Sequence, residues 1–416
     1  MAPLDAPSNA KMLTGDSDGI WNHLNPAWSP DGTLICYGSF EGLWTIPRSG
    51  GHSKQLTHES AALEPAWSSD GRYVYYSSFG GGRGAIWRVP AGGGTPERIT
   101  TGMSRETHPA VSRDGKRVSY GSGQISNESS LLDRTMGKVS VLSDLQPDYM
   151  AALAPDGSSV VFPSNRSGPY FMLWMMSLES DKHPNVPYQL TDQPGTASHP
   201  IFSPDGHWIA YYRLKGQSRN LMTIAAHGGQ PNQLTDGPAM DTDPSWSSDG
   251  SQITFVREEK GHAKIGVARI EQGKMIGSPR WLNINDALAD SPVWSPDSRT
   301  IAYLASRKKS ELWVVPADGS EPPRLVTNGA DGKWIRWDPL TGDVLLSARL
   351  GHQGVSLYCI SPETNMHRPF DPTVEFGGVD ASGVFDVSAD GRFLVYSRTV
   401  SQKGQIWKLE AENGVF

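Results

Sequence analysis

The sequence has only two cysteines in 416 residues, Cys36 and Cys359, so no disulfide scaffold organises it. It lacks any apolar run near the roughly 18–20 residues needed to cross a bilayer. It also lacks a basic excess: 37 Lys and Arg stand against 44 Asp and Glu, for a net charge of −7. A nucleic-acid partner, which favours a basic face, is therefore not expected. The opening MAPLDAPSNAKMLTGDSDG has no basic start followed by an apolar core, so no signal peptide is read there. The expected location is cytoplasmic as the sequence stands, or periplasmic or secreted if a signal was removed. No convincing amphipathic helical pattern of ten or more residues occurs, and no H-E-x-x-H or G-x-S-x-G, so zinc-protease and hydrolase signatures are missing. Disorder is excluded by an apolar content of 37% and by 14 Trp spread along the chain. The 45 Gly and 31 Pro show no three-residue period, which excludes collagen.

What is present is a repeat. Its clearest copies read PAWSPDG (26–32), PAWSSDG (65–71), PIFSPDG (200–206), PSWSSDG (244–250) and PVWSPDS (292–298). Weaker copies are PAVSRDG (109–115), AALAPDG (151–157), IRWDPLTG (335–342) and FDVSADG (385–391). The nine copies are spaced 39, 44, 42, 49, 44, 48, 43 and 50 residues apart, close to the roughly 40–50 residues of a four-stranded propeller blade. Each copy ends in a tight turn, where Gly tolerates positive φ and Asp bonds its own backbone. A β-rich run follows, such as YVYYSS or WIAYY, then a third strand such as AIWRVP or LWVVP. A Gly-rich turn leads to a fourth strand ending KQLT, ERIT, YQLT, NQLT or RLVT.

The signature P-x-W-S-P-D-G, a strand, then L-W-x-x-P-x-x-G-G-x-x-x-x-L-T resembles the WD-like repeats of TolB-type β-propellers. The resemblance covers essentially the whole chain and implies an all-β fold. Proteins of that class include periplasmic scaffolds, propeller domains of proteases, and lyases acting on uronic-acid polysaccharides, so the fold alone assigns no function. The expected architecture is one closed propeller over residues 1–416, with nine four-stranded blades and eight as the alternative. The last repeat nearly stops after the third strand Gln405 to Leu409, and AKMLT (10–14) looks like an orphan fourth strand. The N-terminal strand is expected to complete the last blade, removing exposed edges. Cys36 and Cys359 fall in different blades and are expected to be reduced, since a disulfide needs Cα atoms within roughly 7 Å.

In such a ring the residue before the repeat Pro should stand at the channel mouth. That position holds Asn25, Glu64, His108, Met150, His199, Asp243, Ser291, Trp334 and Val384. The ends of the second strands reach the same face and offer Arg166, Arg213, Arg257, Arg307, Arg349 and Arg398, against Phe40, Phe79 and a stretch near Gly123 in the first three repeats. Arginine's planar fork suits carboxylates, while His beside acidic residues suits a metal or general-base chemistry. The candidate catalytic set is His199, His108, Tyr211, Tyr212 and Arg213, with Glu64, Asp243, Arg166, Arg257, Arg349 and Trp334 binding substrate. His23 is a weaker candidate. The recurring turn Asp residues and repeat Trp residues read instead as turn caps and packing. SFGGGRGAIW (78–87) reads as a loop over the channel, because no helix follows.

Two functions are open at this point. One is an enzyme performing lyase-, isomerase- or cyclase-type acid–base chemistry on a small anionic or uronic-acid ligand. The resemblance to propeller lyases makes a divalent metal (Ca²⁺, Mn²⁺ or Zn²⁺) compatible, and MDTDP (240–244) could hold Ca²⁺. The other is a non-catalytic scaffold for a protein partner. A monomer is expected in both.

Overall fold

The computed structural model describes residues 12–14, 23–39, 41–58, 62–78, 84–101, 105–142, 150–164, 166–167, 170–178, 186–215, 218–259, 261–284, 289–306, 310–349, 355–371, 374, 376 and 383–410. All regular structure among them is β-strand. The chain divides into two units. The first comprises residues 1–125, 165–170 and 401–416; the second comprises residues 126–164 and 171–400.

The fifth repeat shows how the sequence makes its sheet. Thr196–Phe202, Trp208–Lys215, Ser218–Ala225 and Asn232–Gln233 form an antiparallel meander. Side chains alternate across a strand, and here both faces are covered. Ile209 and Tyr211 pack with Val161, Leu173 and Met175 of the fourth repeat. Ala210 and Tyr212 pack with Trp246, Ile253 and Phe255 of the sixth. A strand buried on both sides reads as a continuous apolar run rather than an alternating one, which accounts for WIAYY.

The turn expectation is met repeatedly. Ser29, Ser68, Ser112, Ser247, Ser295 and Ser388 each donate an Oγ hydrogen bond to the turn Asp two residues on, at 2.6–2.7 Å. These bonds, with backbone N–H donors, hold Asp31, Asp70, Asp114, Asp249 and Asp297 below the usual carboxylate range. Asp338 breaks the pattern. It stands where other repeats have Ser, is fully buried, and takes a two-pronged pair from Arg134 at 2.9 Å on each side.

Among the described residues the strands do not form nine or eight separate blades. The described strands make five sheets of eight, five, four, eight and seven strands. Neighbouring repeats fuse: the first and second through the single bridge Ser39↔Ala62, the fifth and sixth through Arg219↔Met240. Strand Arg324–Trp337 is long enough to serve two repeats, pairing with Ser310–Pro316 at its start and Val344–Arg349 at its end. The five-stranded sheet is the larger departure. In it Phe385–Val387 and Phe393–Glu410 continue into Arg117–Asp133 and Lys138–Leu142. Residues near 130 thus extend the sheet of the ninth repeat. Arg392 pairs with Asp133 at 2.8 Å, and Arg134 N–H donates to Arg392 O. Residues 10 and 11 lie outside the described residues. Residues 12–14 are not strand, and Leu13 packs on Ile35, Tyr37 and Ile46 of the first repeat.

Within the second unit the innermost strands touch in succession. Ala152–Leu153 meets Thr196–Phe202, which meets Met240–Trp246, then Ala289–Trp294, then Arg324–Trp337, then Phe385–Val387. Phe385–Val387 in turn meets Ala152–Leu153, and Leu153 N–H donates to Asp386 Oδ2 at 3.0 Å.

Candidate ligand-binding site

The residue before the repeat Pro has a conformation of its own. Asn25, Glu64, His108, His199, Asp243 and Ser291 all have φ between 50° and 58°. A non-glycine residue in this region is uncommon, and a following Pro already disfavours the right-handed helical alternative. The local pairing explains it. The ladder shifts register between Leu24 and Ala27, Leu63 and Ala66, Ser198 and Ile201, Thr242 and Ser245, and Asp290 and Val293. Each shift is a bulge, which bends the strand and re-aims a side chain.

In the second unit these side chains converge. Met150, His199, Asp243, Ser291, Trp334 and Val384, which hold this position in the six repeats of that unit, line one open cavity. Pro200, Pro244, Pro292 and Arg336 complete much of its wall. His199 Nε2 lies 3.3 Å from Asp243 Oδ1, and its Nδ1 lies 3.2 Å from Ser198 Oγ. Thr242 Oγ1 donates to Asp243 Oδ2 at 3.2 Å. The His199 ring sits 4.8 Å from that of Tyr212 and 5.7 Å from that of Trp334. Burial lowers the His199 pKa to about 4; the Asp243 carboxylate opposes this, and Arg219 and Arg336 add to it. The imidazole is therefore neutral near pH 7.

The remaining candidates are distributed elsewhere. His108 and Glu64 belong to the first unit and pair with each other. His108 Nε2 is 3.2 Å from Glu64 Oε1, and the His108 N–H and Ser77 Oγ both donate to Glu64 Oε2 at 2.7 Å. Adjacent residues on one strand face opposite ways, so Tyr211 is buried in the packing between the fourth and fifth repeats while Tyr212 reaches His199. Burial raises the pKa of both tyrosines; at Tyr212 the Arg219 charge and then a hydrogen bond with Ser198 partly counter it. Arg213 donates to Gln193 Oε1. Arg257 makes a two-pronged pair with the fully buried Asp241 at 2.6 and 2.7 Å, and stacks over Trp281. Asp241 and Asp243, the carboxylates of MDTDP, are thus engaged by Arg257 and His199. Arg166 is an exposed turn residue of the first unit, and Arg349 ends the strand Val344–Arg349. His23 stacks near Tyr37, with ring centroids 5.1 Å apart. Phe40, Phe79 and Arg307 lie outside the described residues, as does the Arg398 side chain; of the loop 78–87, residues 79–83 do too. Among the described residues, no three or more His, Cys, Asp or Glu gather as metal ligands would.

Sequence reading missed Arg336, Asp386 and Arg219. Arg336 Nε stands 2.7 Å from Asp386 Oδ1, and its guanidinium lies 4.8 Å over the Trp334 ring. The signal was available. Two positions past the pre-proline residue, seven repeats carry Ala27, Ala66, Ala110, Ala152, Ile201, Ser245 and Val293, and only the last two carry charges, of opposite sign. Arg219, from the adjoining strand, lies over the Tyr212 ring at 5.2 Å and gave no sequence signal.

The chain is similar to several known proteins. It is 24% identical over 237 residues to an uncharacterised peptidase, YuxL, of Bacillus subtilis (strain 168), covering 54% of this chain and 33% of that protein. It is 27% identical over 166 residues to an uncharacterised protein, Atu1656, of Agrobacterium fabrum (strain C58 / ATCC 33970), covering 35% of this chain and 54% of that one. The chain therefore spans about a third and about half of the length of these curated relatives. Among solved structures, a TolB-like protein from Agrobacterium tumefaciens superposes with a TM-score of 0.54 at 20% identity, covering 67% of this chain and all but 1% of that one (99%). The TolB beta propeller domain family matches residues 8–189 and 183–373. The chain belongs to the TolB beta propeller domain family.

Proposed function

We propose that the second unit is a six-bladed ring acting as a binding module, and that its central cavity accepts an apolar segment of a protein partner. One observation carries this reading: the charged groups lining the cavity are already satisfied from within. Asp243 is taken by His199 and Thr242, and Arg336 by Asp386. What the wall otherwise offers a ligand is Met150, Trp334, Val384 and three proline rings, with the Ser291 hydroxyl among them. A concave, mostly apolar site with few polar groups is the usual form of a binding pocket.

Acid–base chemistry on an anionic sugar is the weaker reading. A general base works best with a pKa near the operating pH, and His199 sits at about 4 with contacts at both nitrogens. Arg213 and Arg257, the expected anion-binding forks, are held by Gln193 and Asp241.

The test is a selection from a displayed random-peptide library against the whole chain. Binders are then measured against Val384→Asp and Met150→Asp, with melting temperature as the folding control. The reading expects peptides sharing an apolar anchor that lose at least about tenfold in affinity, roughly 1.4 kcal/mol, when a charge enters the cavity wall. Binders rich in acidic residues, or unaffected by both variants, contradict it.

A further inference from the structure

The first unit contains, among its described residues, three copies of the repeat, and the first and third copies end that short stack. The packing rule between repeats is legible from their Trp residues. Trp67 Nε1 donates to Ala27 O of the repeat before it at 3.1 Å, and Trp337 Nε1 donates to Val293 O in the same way at 3.1 Å. In the third repeat Val111 takes the Trp position and packs toward Tyr75 and Ile86 of the second. The residue at this position thus packs back on the preceding repeat; Trp67 and Trp337 add a hydrogen bond to its carbonyl, whereas Trp246 and Trp294 pack there with no partner at Nε1 among the described residues.

Trp28 is the first repeat's residue at that position. It is 50% exposed, whereas Trp246 and Trp294 are 7% and 6% exposed. Leu13 packs elsewhere on this repeat, against Ile35, Tyr37 and Ile46, and leaves Trp28 uncovered. At the other end, the carbonyl in the acceptor position belongs to Ala110, an exposed residue. His108 beside it is 75% exposed, while His199 at the same position of the fifth repeat is 18% exposed. One end therefore presents a Trp lacking the neighbouring repeat its counterparts have. The other presents the surface on which such a Trp would seat.

We infer that the first unit pairs with the first unit of a second copy of this chain, Trp28 of each seating against Ala110 of the other. Two copies about a two-fold axis satisfy both ends at once, which closes the assembly and stops further growth. The count supports this occupant. Six inner strands touch in a closed succession in the second unit, and two stacks of three supply six.

The test uses the full chain in sedimentation velocity across a concentration series. The expected result is a concentration-dependent monomer–dimer equilibrium with nothing larger. Trp28→Arg and Ala110→Arg each replace an exposed residue, so each is expected to keep its melting temperature and become monomeric. An equimolar mixture of the two variants is expected to recover part of the dimer, because one of its two contacts then joins unaltered faces. A chain that is monomeric at every concentration overturns the inference. So does a dimer that persists in both variants, a mixture that recovers nothing, or an assembly that grows past two.

Discussion

Arg336 and Asp386 face each other at 2.7 Å across neighbouring repeats of the second unit, and Asp386 is only 7% exposed. The same carboxylate accepts from Leu153 N–H at 3.0 Å. Asp386 therefore links the eighth, ninth and fourth repeats, joining chain segments more than 200 residues apart. The Arg336 fork also donates to Ile335 O at 3.0 Å. It is a clasp on the cavity wall rather than a free anion-binding group.

Removing one partner of such a pair strands a buried charge. Arg336→Ala should cost roughly 3–5 kcal/mol, whereas replacing both residues with apolar ones of similar size should cost far less. Urea denaturation of the two single variants and the double variant measures this. Equal losses in the double and single variants would show that the ion pair is not the source of the effect.

The repeat Trp hydrogen bonds are smaller and local. Trp67→Phe and Trp337→Phe keep most of the ring but lose the bonds to Ala27 O and Val293 O. Each should lower stability by about 1 kcal/mol, read from the shift in denaturation midpoint.

Both thiols are buried and free. Burial raises the pKa of the Cys36 thiol far above its usual value and pushes that of Cys359 up to about 11. Reaction needs the thiolate, so the native protein should react very slowly with an aromatic disulfide reagent. Two thiols should appear once it is unfolded, without prior reduction.

The repeat and the pre-proline position were legible in the sequence because proline and the turn residues act locally. His199, Asp243, Ser291 and Trp334 could be assigned to one wall from phase alone. The partition into two units was not legible. It depends on residues near 130 pairing with residues near 395, and β-rich runs carry no mark of which distant edge they choose. Tyr211 and Tyr212 illustrate a smaller failure. WIAYYR is apolar on both faces, so alternation alone could not say which tyrosine meets His199.

Stability should depend on pH in two separate windows. His199 has a folded pKa of about 4 against an ordinary 6.5. As pH falls below 6.5 the unfolded chain takes up a proton that the folded one refuses, so stability drops until about pH 4. At about 1.4 kcal/mol per unit the full effect is on the order of 3 kcal/mol. The turn carboxylates are shifted in the same direction but act at lower pH. Asp70, lowered to about 2 from 3.8, contributes stability that is lost only as pH falls below about 4. His199→Gln should flatten the stability profile between pH 6.5 and 4 and leave the lower window unchanged.

The most direct measurement is the titration of His199 itself. Its imidazole Cε1–H resonance, assigned by its absence in His199→Gln, should move with a midpoint near pH 4 in the folded protein. A neutral ring held between Asp243 and Ser198 at physiological pH is what a binding cavity with satisfied polar groups requires. A midpoint between about 6 and 7.5, where a general base is most effective, would contradict the binding-module account and return acid–base chemistry to the cavity.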